Sequence, residues 1–287
     1  TRHLYMKNFI IRTFTGIAIV AIQVIATCYD RLTLAALFTI LTALTVNEFL
    51  TIMSRRQAVS ISRPIVIIAS SYLFLTFWFN SLTYWGALSL FLPYIVFLLY
   101  IFIKELYTKD SDPISNLGII MLSQLYIVVP LSLINVIAFN ALDFCNKQYD
   151  FYAVPLAIYI FIWVNDTGAY LSGSILGKHR LFPRISPKKS WEGSIGGALL
   201  TIISAWVVSR FFTFLDVWQW IGMALTVVIF GTFGDLTESM FKRRLNIKDS
   251  GSLLPGHGGM LDRLDSMLFA IPAVLIYLYI LSTITTI

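Results

Sequence analysis

For most of this chain, apolar residues come in runs of about 20, separated by short polar stretches. A run of that size spans a bilayer as a helix, because each residue adds about 1.5 Å and the hydrocarbon core is about 30 Å thick. The pattern predicts nine such helices, over 13–29, 32–53, 64–80, 83–103, 115–139, 152–174, 191–214, 217–241 and 264–285. The expected fold is therefore an all-α, polytopic integral membrane protein. Asn80 and Ser81 leave a very short turn between the third run and the fourth, so a re-entrant pair fits there nearly as well and leaves the sidedness of later loops unchanged. Pro93, Pro130, Pro155 and Pro272 lie inside runs and read as local kinks whose freed backbone groups are satisfied by neighbouring helices. Gly193 and Gly197 form a small-xxx-small pair, which points to close helix packing.

Composition agrees with this reading: the chain is 57% hydrophobic and only 13% charged. A net charge of +6 could suggest a nucleic-acid partner, but the basic residues lie in short loops rather than on one soluble face. All of them except Arg31, Lys147 and Arg210 fall on one set of alternate loops. Cytoplasmic loops retain positive charge, so the N-terminus is expected in the cytoplasm and the C-terminus outside. Arg2, Lys7 and Arg12 before the first run resemble the start of a signal peptide. No small-residue cleavage site follows and a second run comes almost at once, so an uncleaved first span is expected. Met6 is a candidate natural start. Cys28 and Cys145 match no metal or CxxC spacing, and nothing fixes their separation, which leaves a disulfide little support.

Ionisable groups divide the chain into an N-terminal scaffold, 1–150, that contacts lipid, and a C-terminal catalytic region, 151–287, with two polar cytoplasmic loops. In the first part Glu48, beside Asn47, stands nearly alone within a span; it is open to two roles, a buried partner for a basic group or part of a lipid entry path. In the second, Asp166 lies about 21 Å along its helix and Asp235 about 27 Å along its own, which brings both towards the inner face. On one helical face Asp235, Glu238, Ser239 and Lys242 recur at i, i+3, i+4 and i+7. Asp262 and Asp265 repeat the i, i+3 relation, with Arg263 between them. Hard oxygen donors grouped in this way suit Mg2+, which takes one or two carboxylates and completes its shell with water and substrate phosphate. The alternative is that these acids only pair with neighbouring Lys and Arg. Pro255, Gly256, His257, Gly258 and Gly259 form a loop whose backbone amides could cradle phosphate. Taken together, these groups describe a site for a phosphate-rich ligand beside the inner leaflet, and so phosphoryl or nucleotidyl transfer onto a lipid.

The run from Ser239 through Phe241, Lys242, Arg243, Lys248, Asp249, Gly251, Leu254, Pro255, His257, Gly258, Gly259, Met260, Asp262, Arg263 and Leu264 to Asp265 resembles the signature of the phosphatidate cytidylyltransferases, also called CDP-diacylglycerol synthases. A second segment is similar too: Asp166, Gly168, Ala169, Tyr170, then Gly177 and Lys178, then Ser186, Pro187, Lys188, Lys189, Ser190, Trp191, Glu192 and Gly193. Ser190 stands where that family often has Thr and keeps the hydroxyl. The resemblance covers residues 160–270; before them the likeness is only that of several membrane spans.

The resemblance implies that CTP and phosphatidate give CDP-diacylglycerol and pyrophosphate at the cytoplasmic face of the inner membrane. It implies Mg2+ with a monovalent cation such as K+, and a homodimer. Carried onto this chain, it places the metal on Asp235, Asp262 and Asp265. Lys242, Arg243, Lys248 and Arg263 would hold the phosphates and the leaving group, with Asp249, Ser239 and His257 orienting them. Asp166, Ser186, Lys188, Lys189, Gly258 and Gly259 complete the substrate-binding set. Four competing readings are a relative that charges another lipid phosphate, a CTP-dependent lipid kinase, a transporter, and a purely structural membrane protein, which would leave the basic excess without a ligand. The kinase would release CDP, and a transporter tends to hold its charges near the midplane between repeats, which this chain lacks.

Overall fold

The structure, a computed structural model, describes residues 2–54, 60–109, 112–140, 149–251 and 258–285, with side chains described from residue 15 to residue 284. Among these residues eight helices are long and apolar enough to cross a membrane, and Thr15–Tyr29 adds a shorter apolar stretch. The chain is an all-helical polytopic membrane protein with one small β-hairpin.

The helices are α1 (Arg2–Tyr29), α2 (Arg31–Met53), α3 (Arg63–Leu82), α4 (Leu92–Tyr107), α5 (Pro113–Ser123), α6 (Val129–Phe139), α7 (Ala153–Leu176), α8 (Trp191–Phe211), α9 (Val217–Arg244) and α10 (Leu261–Thr285). By internal packing they fall into two units: Thr1–Asn135 with Leu245–Arg263, and Val136–Arg244 with Leu264–Ile287.

In the first unit Asp30 separates α1 from α2 by capping the latter. Its carboxylate accepts from Leu32 N (3.1 Å), while Asp30 N donates back to Thr33 Oγ1 (3.1 Å). Phe38 of α2 stacks on Phe74 of α3, and Phe49 of α2 meets Tyr126. The fourth span begins later than the pattern predicts, at Leu88, with a single 3-10 turn (Leu88–Phe91) leading into α4. Buried Asn80 is the reason. Its carbonyl accepts from Trp85 N (2.7 Å) and its side-chain Oδ1 from Ala87 N (3.2 Å), which holds the chain in a turn. Tyr84 and Trp85 take φ values of 47° and 62° there, a strained region for bulky residues.

Between α5 and α6 lies a π turn, Gln124–Val128, in which Val129 N donates to Gln124 O. Pro130 explains it: a proline cannot donate to the carbonyl four residues back and crowds it, so the preceding turn widens. The turn carries Gln124 into a buried polar cluster, where its Nε2 donates to Ser70 Oγ (3.0 Å) and its Oε1 accepts from Tyr94 OH (3.0 Å). Of the other prolines, Pro93 and Pro155 fall in first helical turns and only Pro272 sits in a helix interior. Cys28 is a free thiol, and Cys145 lies outside the described residues.

In the second unit α7 and α8 pack along a seam of small residues. A Cβ on Gly197 would lie 2.6 Å from Asn165 Oδ1 and 2.8 Å from Asn165 O, so only glycine allows this approach. Trp220 of α9 is fully buried; it meets Phe161 of α7 edge-on and donates from Nε1 to Phe212 O (2.9 Å). Tyr277 of α10 donates its hydroxyl to Gln219 O (2.8 Å).

Replacing Gly197 with Leu is therefore expected to destabilise the protein by about 1–3 kcal/mol through overpacking. Gly118→Ala, with nothing within 4 Å of its Cβ, should be neutral or gain up to about 1 kcal/mol from helix propensity. Melting temperatures in detergent would separate the two, and a Gly197→Leu protein as stable as the parent would disprove the seam's importance.

Candidate active site

The stretch between α7 and α8 reads from sequence as a polar loop, whereas the structure folds it as an antiparallel hairpin of β1 (Arg180–Phe182) and β2 (Ser186–Ser190). Two features close it. Glu192, in the first turn of α8, accepts from Lys178 N (3.2 Å) and His179 N (3.1 Å), and its Oε1 lies 2.6 Å from His179 Nδ1. Ser190 caps α8, its hydroxyl accepting from Gly193 N (3.1 Å). Arg243, at the end of α9, donates from Nε to Ile185 O (3.2 Å), which fastens the hairpin turn.

Below the hairpin is a cavity of about 500 Å3 within the second unit. Its lining includes Asn165, Asp166 and Tyr170 of α7, Arg180, Lys188 and Lys189 of the hairpin, Gly193 and Ser194 of α8, and Thr232, Asp235 and Ser266 of α9 and α10. The volume lies in the range of small-molecule sites. Acidic and basic groups face the same space, and Lys189 Nζ is 2.5 Å from Asp235 Oδ2.

Asp235, Glu238 and Asp265 each offer a carboxylate oxygen, all within 4.8 Å of one another. The first two lie one turn apart on α9, and Gly234 brings that helix against the backbone of Asp265. Glu238 is fully buried, with Lys242 Nζ 2.5 Å from its Oε2. Ser239 donates to Asp235 Oδ1 (3.2 Å). Three carboxylates this close repel one another unless cations neutralise them, and Lys189 and Lys242 supply two. The donor set fits a hard divalent ion: all oxygen, more than one carboxylate, and a cavity beside it with room for water and phosphate.

Of the sequence-predicted residues, Asp166, Lys188, Lys189 and Asp235 line the cavity and Asp265 joins the acidic cluster. Ser186 begins β2, opposite Phe182. Lys242 pairs with Glu238, and Arg243 donates to the hairpin turn at Ile185 O. Lys248, Asp249, Gly258, Gly259, Asp262 and Arg263 belong to the first unit. There Lys248 and Asp249 are exposed, and Arg263 lies on the exposed face of the first turn of α10. Asp262, which the sequence places among the metal ligands, accepts from Ser250 N (3.0 Å) and Gly259 N (2.9 Å). His257 lies outside the described residues.

Sequence reasoning grouped Glu238 with the acids that suit Mg2+ without naming it a ligand, and gave no site role to Arg180, Asn165 or Thr232, which carry no motif. The described partners of Glu48 are the Ser250 hydroxyl and the amides of Met260 and Leu261 rather than a basic side chain.

A stretch of 118 residues is 48% identical to a phosphatidate cytidylyltransferase of Staphylococcus aureus (strain COL), taking in 41% of this chain and 45% of that one. The same extent and identity hold for the enzyme of that name from Staphylococcus haemolyticus. For the one from Staphylococcus saprophyticus, identity is 45% over 119 residues. Less than half of these relatives' length is thus spanned. The sequence model of the cytidylyltransferase family matches far more of the chain, residues 10–281, and on that extent the chain belongs to this family.

Proposed function

We propose that this protein transfers the cytidylyl group of CTP to phosphatidate, releasing pyrophosphate and forming CDP-diacylglycerol, at the cytoplasmic face of a bacterial inner membrane. The observation that carries the reading is the cavity in which Asp166 and Asp235 share space with Arg180, Lys188 and Lys189, in a chain of the cytidylyltransferase family.

In the proposed reaction an oxygen of the phosphatidate phosphate forms a bond to the α-phosphorus of CTP as the bond to the bridging oxygen of the β-phosphate breaks. The electron pair leaves with pyrophosphate. A phosphomonoester with a second pKa of about 6 is already mostly dianionic at neutral pH, so no general base is required. The barrier is dominated by repulsion between an anionic nucleophile and a triphosphate, which positioning and charge neutralisation lower. Lys188, Lys189 and Arg180 are the groups assigned to that task. Lys189 has a second job, holding Asp235 in place until substrate phosphate competes for its ammonium group. Lys242 keeps buried Glu238 paired, and Arg243 holds the hairpin that presents the basic residues. Lys248 and Arg263 are assigned to the nucleotide phosphates, and Asp249 to orienting them, from the sequence signature.

Asp235, Glu238 and Asp265 are the residues that would hold Mg2+. When bound, the ion would neutralise charge on the reacting phosphates. The homodimer and accompanying K+ implied by the sequence resemblance belong to the same proposal.

Purified protein in mixed micelles with phosphatidate, Mg2+ and CTP labelled at the α-phosphate should move the label into lipid, one pyrophosphate appearing per lipid product. Label collecting in CDP would overturn the reading in favour of a kinase. Lys189→Met should lower kcat/KM about ten- to a hundredfold by removing a charge-assisted contact. Asp235→Asn should weaken binding of Mn2+, followed by its paramagnetic resonance without substrate, by at least about tenfold. Unchanged Mn2+ binding would remove Asp235 from the metal set.

A further inference from the structure

Glu48 lies in the apolar helix α2 and is nearly buried, 8% exposed. Three donors from one distant stretch converge on its carboxylate: the hydroxyl of Ser250, Met260 N (2.8 Å) and Leu261 N (3.3 Å). Met260 and Leu261 stand at the start of α10, where amides have no acceptor within their own helix and the helix dipole favours a negative group. An ionised carboxylate only accepts, so it matches three donors without conflict.

Asp262 completes the arrangement from within the stretch by accepting from Ser250 N and Gly259 N. Ser250 thus uses its hydroxyl on Glu48 and its amide on Asp262. The glycines of the signature fit the same geometry. A Cβ on Gly259 would run into the Glu48 carboxylate, one on Gly251 would lie 2.8 Å from Glu48 Oε2, and Gly258, at φ +84°, would place one 2.7 Å from Asp262 Oδ2. These positions are small because two carboxylates press against the backbone there.

We infer that Glu48 is a positioning residue for cytidylyl transfer, anchoring Ser250 and the backbone of Met260 and Leu261 so that the start of α10 and the signature residues described beside it keep one conformation. The role in turnover rests on the proposed function; the anchoring itself does not.

The test is Glu48→Gln in the full-length protein, which keeps size and shape but turns one acceptor into a donor facing amide donors. Hydrogen–deuterium exchange should accelerate by about tenfold or more in peptides covering the described parts of 245–263 and stay unchanged in α3 and α7. Turnover should fall about ten- to a hundredfold in kcat/KM, because the loosened peptides carry Lys248 and Arg263, which the proposed function assigns to the nucleotide. Ser250→Ala, which removes one donor and leaves α2 untouched, should show the same local acceleration in weaker form. If Glu48→Gln does not fold, Ser250→Ala decides: local acceleration supports the anchor, and unchanged exchange overturns it. Unchanged exchange in a folded Glu48→Gln protein overturns it as well, as does acceleration spread evenly over the chain. Faster local exchange without any cytidylyl transfer by the parent protein would sink the proposed reaction and leave the anchor standing.

Discussion

A carboxylate enclosed by apolar helices must find hydrogen-bond donors or a cation, because the alternative is to bury an uncompensated charge. That constraint shapes both units of this protein and is met in two different ways. In the first unit Glu48 turns to backbone amides and a hydroxyl. In the second, Asp235 and Glu238 turn to the ammonium groups of Lys189 and Lys242. Amide partners are fixed by the backbone and hold geometry. Lysine partners sit on flexible stems and can exchange for another cation or a phosphate. The first arrangement suits an anchor and the second suits a site that must open to a ligand.

The second arrangement depends on close helix packing. Gly197 lets α8 approach α7, and Gly234 lets α9 approach the start of α10, so that carboxylates from separate helices fall within ligand reach of one another. The hairpin then carries basic residues to the same cavity. It is a short element with no core of its own. Its stability comes from its ends: the Glu192 clasp at His179, the Ser190 cap, and Arg243 at the turn. The cap and the Arg243 fastening meet backbone atoms, and the Glu192 clasp meets both backbone amides and the His179 ring.

How much of this was legible in sequence follows from the range of each interaction. The spans were readable because runs of about 20 apolar residues report directly on local burial. The start of the fourth was misplaced because Tyr84, Trp85 and Ala87 are apolar by composition, while the turn they form is dictated by Asn80. Strands of three and five residues, the second interrupted by Pro187, offer too little alternation to be recognised, so the hairpin read as a loop. The acids and bases of the cavity were visible as residue types and could be named. The pairing of Lys189 with Asp235, across 46 residues, could not, nor could the choice of Glu238 over its neighbours. Glu48 was the hardest case, since backbone amides leave no mark in the list of side chains.

Ser250, Met260 and Leu261 follow Glu48 by 202, 212 and 213 residues. Between them the whole first stretch of the second unit is synthesised, from Val136 to Arg244. As the chain leaves the ribosome, α2 therefore enters the bilayer long before its carboxylate's partners exist. The first unit cannot take its final form in order of synthesis; it is closed by a segment made near the end. Until then Glu48 must be served by water, by a proton or by the insertion machinery, and the arrival of residues 245–263 is the event that completes the unit. An mRNA truncated before that segment would yield a protein with most of its helices present and its first unit still open.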